Sequence, residues 1–322
     1  MENYFSSIEL YGRTIHRNTK SENCDVFHLE NATGTGDITK YRVFPGFELI
    51  YNDIHMEQFD QANAKRVNNV IEINHCREGR YECTFGHQTC CYMAPGDLSI
   101  SSLTQNKSVS SFPICHYHGI SIFIALDDIA PEVILIMNML SIDFEHIKSL
   151  IYNEKQHCII RANESIEHIF YELYSNRDFR KEGYIKLKVL ELLLFLSGLE
   201  VQKQSAETKY WNQKHVKKIK EIHNFIARDI SRRYTIAELA QRFEISQTSL
   251  KACFKGVYGT SIYAYLRAYR LQTARKLLEV SELSITDISI QIGYENPNKF
   301  TSAFKEAYGV SPMEYRKTCL FG

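Results

Sequence analysis

The pattern of apolar and polar positions divides the chain into a β-rich front and a helical back. Up to about residue 126, short apolar segments are separated by Gly, Pro, Asn and Asp, as in strands joined by turns. The predicted strands are Tyr41–Phe44, Phe47–Tyr51, Val70–His75, Gly79–Phe85, Cys90–Met93, Leu98–Ser101 and His118–Leu126. Many short strands with frequent turns favour a small barrel or a double-sheet jelly roll.

Helical periodicity starts at Pro131 and continues to the C terminus with one break. Before the break it predicts the helices Ile134–Leu140, Phe144–Tyr152, Glu164–Ser175 and Tyr184–Glu200. The last has a broad apolar face, suited to a core or a subunit contact, formed by Ile185, Leu187, Val189, Leu190, Leu193, Leu194 and Leu196. The polar stretch 201–213 is a predicted linker. We therefore predict an α+β protein with one domain over 1–200 and an all-α domain over 214–322.

The all-α domain contains an internal repeat. FKGVYG at 254–259 returns 50 positions later as FKEAYG at 304–309. The pairs at the same spacing upstream are Leu250–Phe300, Ser246–Asn296 and Ala240–Ile290. Each copy is predicted to be a short helix, a turn of about four residues and a second short helix, over 246–257 or 296–308. This is the helix-turn-helix pattern, whose second helix enters the DNA major groove.

Local signals mark the ends of these helices. Thr235 and Glu238 form a predicted capping box, in which hydroxyl and carboxylate each accept from a free backbone amide. Gly293 permits a tight turn, and Pro297 pre-sets the first turn of the helix that follows. The predicted buried face of that helix is Phe300, Ala303, Phe304 and Ala307.

The other positions of the two second helices are polar. Asn reads adenine edges, Lys donates to guanine, and the Thr methyl group packs on thymine. The predicted DNA contacts are Gln247, Thr248, Ser249, Lys251, Ala252 and Lys255 in the first copy, and Asn298, Lys299, Thr301, Ser302 and Lys305 in the second.

A long connecting helix, Ser261–Glu279, separates the two copies. Its 19 residues span about 28 Å, close to the distance of about 34 Å between successive major grooves on one duplex face. One monomer is therefore predicted to read a bipartite site. Arg267, Arg270 and Arg275 on this helix either reach phosphates or form packing salt bridges.

The charge distribution supports a nucleic-acid partner. The chain has no net charge, yet residues 212–322 contain 18 basic and 10 acidic side chains, and residues 1–211 contain 20 and 28. A basic C-terminal third is what a phosphate backbone attracts.

The nine cysteines include no Cys-x-x-Cys pair, the start lacks a signal peptide, and Val189–Leu199 is too short to span a bilayer. We expect a cytoplasmic protein without a membrane partner.

Two stretches resemble the AraC/XylS family of bacterial transcriptional regulators. They are TIAELAQRFEISQTSLKACFKGVYGTSIYAYLRAYRLQTARKLL and ITDISIQIGYENPNKFTSAFKEAYGVSPMEYR. The resemblance covers Val216–Lys317 and implies a seven-helix domain with two helix-turn-helix units. The base-reading positions that it implies are Thr248, Lys251, Ala252, Pro297, Asn298, Thr301 and Ser302. For 1–200 it implies a cupin-like barrel followed by helices, which binds a small-molecule effector and mediates dimerisation. The implied partners are double-stranded DNA, RNA polymerase, an unidentified effector and a second copy of the chain.

The candidate chemistry of the front half centres on Cys115-His116-Tyr117-His118. In a strand, His116 and His118 project to one face, where His75 or His87 from other strands is able to join them. The His and Glu order of metal-binding cupins is missing, so we predict no metal and no cofactor. The predicted effector contacts are Tyr81, Tyr92, His116, Tyr117 and His118.

These observations predict a sequence-specific DNA-binding regulator. The family resemblance implies an activator, and the same residues are compatible with a repressor. No nucleophile–base motif with a local signature is present, so we expect no enzymatic activity. The alternative is a cupin-type metal-binding enzyme or sensor domain fused to a DNA anchor. A helical interaction module that never meets DNA is a third interpretation.

Overall fold

Two compact units make up the chain, Met1–Tyr210 and Trp211–Gly322. A computed structural model describes residues 15–20, 24–60, 69–85, 89–103, 109–151, 157–175, 182–199 and 209–321. Residues 201–208 of the predicted linker and His87 lie outside the described residues.

The first unit is built on two antiparallel sheets. Its strands are β1 Ile15–Lys20, β2 Cys24–Asn31, β3 Gly34–Phe44, β4 Phe47–His55, β5 Gln58–Asp60, β6 Val70–Gly79, β7 Tyr81–Phe85, β8 Thr89–Met93, β9 Leu98–Ser102, β10 Val109–Ser111, β11 Tyr117–Ala125 and β12 His157–Ile160. One sheet has the order β1-β2-β3-β4-β11-β6-β9-β12, and the other contains β8-β7-β10-β5. Among the described strands neither order closes on itself, so the cupin-like barrel is not confirmed.

All seven predicted strands are present, and most are longer than the apolar runs that revealed them. The sequence reading missed β1, β2, β5, β10 and β12. The strands β5, β10 and β12 have only three or four residues, and β1 and β2 contain polar residues that weaken the alternation. The strand His157–Ile160 also interrupts the region that was read as entirely helical.

The two faces of the large sheet enter two different cores. One face, which includes Leu49, Tyr51 and Ile120, packs with the helices α1 Pro131–Met139, α2 Phe144–Ser149, α3 Glu164–Ser175 and α4 Glu182–Ser197. The opposite face, which includes Ile50 and Tyr117, packs with residues of the second sheet. We call these the helix-side face and the inter-sheet face.

The apolar face predicted for α4 is only partly correct. Leu187 and Leu194 are 65% and 47% exposed. Lys188 instead is buried, and its ammonium lies 2.9 Å from Glu172 and 2.7 Å from Glu191. A buried lysine is tolerated here because both carboxylates satisfy it.

The second unit is all helical. Residues 209–321 form seven helices: α5 Gln213–Arg228, α6 Ile236–Arg242, α7 Gln247–Tyr258, α8 Ile262–Val280, α9 Ile285–Gln291, α10 Pro297–Tyr308 and α11 Pro312–Phe321. The pairs α6–α7 and α9–α10 are the two predicted helix-turn-helix units, and α8 is the predicted connector.

The spacing of the repeat changes from 49 to 50 residues inside the turn. The N-caps of α6 and α9 are Thr235 and Ser284, 49 apart. Beyond the turn, the matching caps of α7 and α10, Ser246 and Asn296, are 50 apart. The second turn is therefore one residue longer than the first.

This extra residue makes the predicted pairing of Ala240 with Ile290 wrong. Ala240 is 7% exposed and Ile290 is 60% exposed. The buried counterpart of Ala240 is Ser289, whose hydroxyl donates to the Thr286 carbonyl.

Glycine is required in only one of the two turns. Gly293 has φ +85°, and Glu244 occupies the matching position of the first copy with φ +49°. A Cβ on Gly293 would lie 2.5 Å from the Ser231 carbonyl oxygen. Gly293 thus permits the tight turn that the sequence predicted, and it also allows the close approach of the Ser231 carbonyl, which the sequence did not predict.

Two local predictions need correction. The Thr235 hydroxyl accepts from the Glu238 amide at 3.1 Å, but the Glu238 carboxylate pairs with Arg232 and does not complete the capping box. On α10, Phe300, Ala303 and Phe304 are buried as predicted, whereas Ala307 is exposed and the neighbouring Tyr308 packs against the core at this end of the helix.

Candidate nucleic-acid interface

The helix α7 presents its N-terminal turns to solvent. The Ser246 hydroxyl accepts from the Ser249 amide at 3.1 Å and starts the helix. Leu250, Cys253 and Phe254 fix the inward side. Of the predicted DNA contacts, Gln247, Thr248, Lys251, Ala252 and Lys255 are exposed and Ser249 is half-buried.

The helix α10 repeats this arrangement. The Asn296 side chain accepts from the Asn298 amide at 2.9 Å, and Pro297 occupies the first turn, where an amide is not needed. Of the predicted DNA contacts, Asn298, Lys299, Ser302 and Lys305 are exposed, and Pro297 and Thr301 are half-buried. Both predicted sets therefore lie on one accessible side of their helices, and their contacts with bases remain predictions.

An aromatic triad supports each of these helices. The rings of Phe254 and Tyr258 are 4.6 Å apart, and Phe254 lies 5.8 Å from Tyr265 of α8. The second copy repeats the triad at 50-residue spacing. Its members are Phe304, Tyr308 and Tyr315, with separations of 4.6 Å and 5.7 Å. The repeat therefore extends past the helix-turn-helix into the start of the next helix.

The third tyrosine of each triad is held by the helix that precedes its unit. The Tyr265 hydroxyl lies 2.7 Å from Nε2 of His223 on α5. The Tyr315 hydroxyl donates to Glu279 on α8 at 2.6 Å, and this hydrogen bond raises the pKa of Tyr315 to about 12. These anchors are distant in sequence, so the reading of motifs missed them.

The arginines of α8 form intramolecular contacts. Arg267 pairs with Glu306 of α10. The Arg270 guanidinium donates to the carbonyls of Ile230 at 2.6 Å and Arg232 at 2.9 Å, in the loop between α5 and α6. Burial lowers the pKa of Arg270. These hydrogen bonds hold Arg270 against the loop between α5 and α6, and the DNA contacts predicted for Arg267 and Arg270 stay predictions.

The two copies differ at position 256, which is glycine in the first copy, and at its counterpart 306, which is glutamate in the second. A Cβ on Gly256 would lie 2.5 Å from the Trp211 ring, so only glycine accommodates that ring against α7. At the matching position of α10, Glu306 instead holds Arg267 beside an open depression of about 340 Å³, which Asn298, Lys299 and Ser302 also line.

The predicted effector residues of the first unit do not form one group. Tyr81 and Tyr117 are buried on the inter-sheet side, and the Tyr117 hydroxyl donates to Asn74. Tyr92 is also buried, and its hydroxyl donates to Glu82 at 2.7 Å. Tyr117 lies between His116 and His118 in extended backbone, so its side chain points to the opposite face of the sheet from theirs.

His116 and His118 have a different neighbour from the ones expected. They lie beside His55 of β4, and one ring nitrogen of each of the three lies within 4.8 Å of the others. His75 instead stacks on Phe170 at 4.0 Å, and its Nδ1 lies 3.0 Å from the Tyr174 hydroxyl. The sequence reading missed His55, although it continues the helix-side positions of the predicted strand.

A depression of the first unit lies at His75. Its volume is about 360 Å³, and its lining includes Arg77, Phe170, Tyr171 and Tyr174. Burial, assisted by the Arg77 charge, lowers the pKa of His75 to about 3. The neutral imidazole and the tyrosine rings give this depression an amphipathic wall.

Comparisons with known proteins point to the helical unit. A family profile described as a helix-turn-helix domain matches residues 239–318. The xylose operon regulatory protein of Escherichia coli K12 is 30% identical over 146 residues, which are 42% of this chain and 37% of that protein. The transcriptional activator RhaR of Mannheimia succiniciproducens is 25% identical over 127 residues, which are 39% of this chain and 44% of that protein.

A solved structure gives a similar match. A transcriptional regulator of Chromobacterium violaceum with an AraC-type DNA-binding domain is 25% identical over 34% of this chain and 96% of that chain, with a TM-score of 0.31. The chain spans less than half the length of the curated relatives that it matches. Within the described residues, every helix is too short or too polar to cross a lipid bilayer.

The doubled helix-turn-helix and its accessible polar turns agree with the match to a helix-turn-helix profile. The resemblance of the two sequence stretches to AraC/XylS regulators is thus supported by the match of residues 239–318 to a helix-turn-helix profile and by the similarity to the xylose operon regulatory protein.

Proposed function

We propose that this protein is an effector-responsive transcriptional activator that reads a bipartite DNA site with α7 and α10. The observation that carries the proposal is the repetition of one reading unit. In both copies a side-chain cap, a polar accessible first turn and an aromatic triad recur at matched positions. A connector of 19 residues, about 28 Å long, suits two successive major grooves.

Lys251 and Asn298 are the proposed principal readers. Both are exposed on the first two turns of their helices, the part that meets base edges in helix-turn-helix proteins. The lysine donates to guanine, and the asparagine pairs with adenine. Lys255 and Lys305 near the helix C-termini are proposed phosphate contacts, which add affinity without sequence preference.

Residues 1–200 are proposed as the sensing and dimerisation domain, with 201–213 as linker and 214–322 as the reader. Two packed sheets followed by helices are compatible with a cupin-like sensor, and the depression at His75 supplies a site for an amphipathic effector. Leu187 and Leu194 are seven residues apart and exposed, which favours a contact with a second copy of the chain. RNA polymerase is the proposed partner for activation in the cytoplasm, and no enzymatic step is part of the proposal.

Selection of binding sites from random duplex DNA, performed with the full chain, tests the reading mechanism. We expect two half-elements about 10 base pairs apart. Lys251→Ala and Asn298→Ala are each expected to cost about 1–3 kcal/mol on the selected site and to relax the preference in one half-element.

Lys217→Ala is the matched control, because Lys217 is an exposed lysine on α5, outside both helix-turn-helix units. It removes the same charge as Lys251→Ala and should leave the preference unchanged. Equal losses in Lys217→Ala and Lys251→Ala, with no change of preference, would contradict base reading and leave only electrostatic attraction.

A further inference from the structure

Three histidines from two neighbouring strands meet at one end of the helix-side face. His55 ends β4, His116 precedes β11, and His118 lies within it. The ring centroids of His116 and His118 are 4.6 Å apart. The ring centroid of His55 lies 5.3 Å from that of His116 and 5.4 Å from that of His118. This cluster is separate from the aromatic wall at His75.

The pairing of neighbouring strands places the cluster in a row of charged and titratable residues that runs across the sheet. Consecutive partners across β2, β3, β4, β11 and β6 are His28, Asp37, Asp53, His118 and Glu78. The row lies on the helix-side face, because Asp53 and His55 continue the alternation of Leu49 and Tyr51 along β4. Three carboxylates on one row attract cations to that end of the sheet.

The backbone around His116 is shaped to bring it to this face. Cys115 has φ +52°, and the Arg80 amide donates to the His116 carbonyl at 3.3 Å. Gly79 of β6 has φ +89°, and a Cβ there would lie 1.9 Å from the His116 carbonyl oxygen. The register between β6 and β11 also shifts between His118 and Gly119. The left-handed turn and the bulge together place His116 beside His55.

Each imidazole has a carboxylate near one of its nitrogens. The same Asp53 oxygen lies 2.8 Å from Nε2 of His55 and 2.6 Å from Nε2 of His118. A Glu78 oxygen lies 3.4 Å from Nε2 of His116. These are ion-pair distances and not hydrogen bonds, and they place a carboxylate beside each ring, as commonly occurs around metal-binding histidines.

Two of the nitrogens that do not lie beside a carboxylate are close together. Nδ1 of His55 and Nδ1 of His116 are 3.5 Å apart. Two ligands of a tetrahedral zinc ion, each at about 2.0–2.1 Å from it, are separated by about 3.4 Å. One nitrogen of each of the three rings lies within 4.8 Å of the others, so bringing them to that distance moves each side chain by about 0.7 Å at most. Rotation about the side-chain torsions accommodates such a movement.

We propose that His55, His116 and His118 bind a divalent transition-metal ion, with zinc as the best-fitting ion, and leave one coordination position open. This replaces the prediction of no metal made from the sequence, which did not include His55. Three imidazole ligands suit Zn²⁺ and neighbouring first-row ions better than Mg²⁺ or Ca²⁺, which prefer oxygen ligands. The side chains of His55, His116 and His118 are 52%, 34% and 28% exposed, so the ion has access from solvent. The proposal stands whether or not the ion affects DNA binding.

The test uses the full chain without a polyhistidine tag, stripped of metal by a chelator and titrated with Zn²⁺ against a chromophoric competitor. We expect one ion per chain, and a loss of affinity of more than about 100-fold in His55→Ala and in His116→Ala, since removal of a ligand exceeds the 10–100-fold effect of removing an orienting partner. Asp53→Asn, which keeps the three imidazoles, is expected to weaken binding by about 10–100-fold. His28→Ala is the matched control, because His28 lies on the same row two strands from Asp53's strand and pairs with Asp37 at 2.9 Å.

The spectrum of the Co²⁺-loaded chain separates this site from the nine cysteines. Nitrogen and water ligation gives d–d bands without an intense thiolate-to-cobalt charge-transfer band. A strong thiolate band, binding without stoichiometry, or equal losses in His28→Ala and His116→Ala would each overturn the assignment. The affinity of Asp53→Asn keeps the proposal testable if a histidine variant fails to fold.

Discussion

Gly293→Ala is expected to destabilise the helical unit more than Gly309→Ala does. Both glycines have left-handed backbones, with φ +85° and φ +79°. An alanine at either position therefore incurs the same backbone penalty of roughly 1–2 kcal/mol. The two positions differ only in their surroundings, which makes Gly309→Ala the matched control.

The surroundings of Gly293 leave no room for a side chain. A Cβ would lie 2.5 Å from the Ser231 carbonyl oxygen, 2.8 Å from Ser231 Cα and 2.9 Å from Arg270 Nη2. The Ser231 loop cannot yield freely, because Arg270 holds the carbonyls on both sides of it. Overpacking of this kind costs about 1–3 kcal/mol. At Gly309 a Cβ meets no heavy atom within 4 Å.

Thermal unfolding of the full chain, followed by tryptophan emission, measures the difference. Trp211 is the sole tryptophan, and it lies against Gly256 of α7, so its emission reports on the helical unit. A difference of about 1–3 kcal/mol corresponds to a midpoint for Gly293→Ala that is roughly 5–20 °C below that of Gly309→Ala. Equal midpoints in the two variants would refute the argument that the Ser231 contact, in addition to the backbone angle, requires glycine.

Two further predictions concern other contacts. Gly256→Ala should displace the Trp211 ring, shift its emission to the red and cost about 1–3 kcal/mol, whereas Gly183→Ala, where a Cβ meets no heavy atom within 4 Å, should not destabilise the chain. The pKa of His75 is about 3 in the folded state and 6.5 in the unfolded state. Below pH 6.5 the unfolded state therefore binds a proton that the folded state does not, and the free energy of unfolding decreases as the pH is lowered. His75→Gln should remove about 2 kcal/mol of the acid destabilisation between pH 7 and pH 5, measured by urea unfolding of the first unit. An unchanged difference between the two pH values would contradict the assignment of this acid sensitivity to His75.

The amino-acid sequence alone determined the helical half in most respects, because its signals are local. A hydroxyl or amide side chain three or fewer residues before an amide caps a helix regardless of what surrounds it, as at Ser246 and Asn296. The left-handed turn at Gly293 and the start of α10 at Pro297 follow from backbone sterics in the same way. The bounds of α7, α8 and α10 were accordingly predicted to within a residue or two.

Tertiary structure decided which distant residues meet. The shift of the repeat from 49 to 50 residues depends on how the longer second turn packs, so sequence alignment at a constant spacing paired Ala240 with the exposed Ile290. The Glu238 carboxylate had two available partners, and the nearby Arg232 charge took it from the capping box. Local pattern gives no information on such competition, since both outcomes satisfy the same side chain.

The histidine cluster shows the same division between local and long-range information. The sequence placed His116 and His118 on one face of a strand because side chains alternate with a period of two. Only the antiparallel register of β11 with β4 brought His55 and Asp53 to them, from more than 60 positions earlier in the chain. Register is set by the total fit of many apolar side chains across the sheet, so no single motif encodes it.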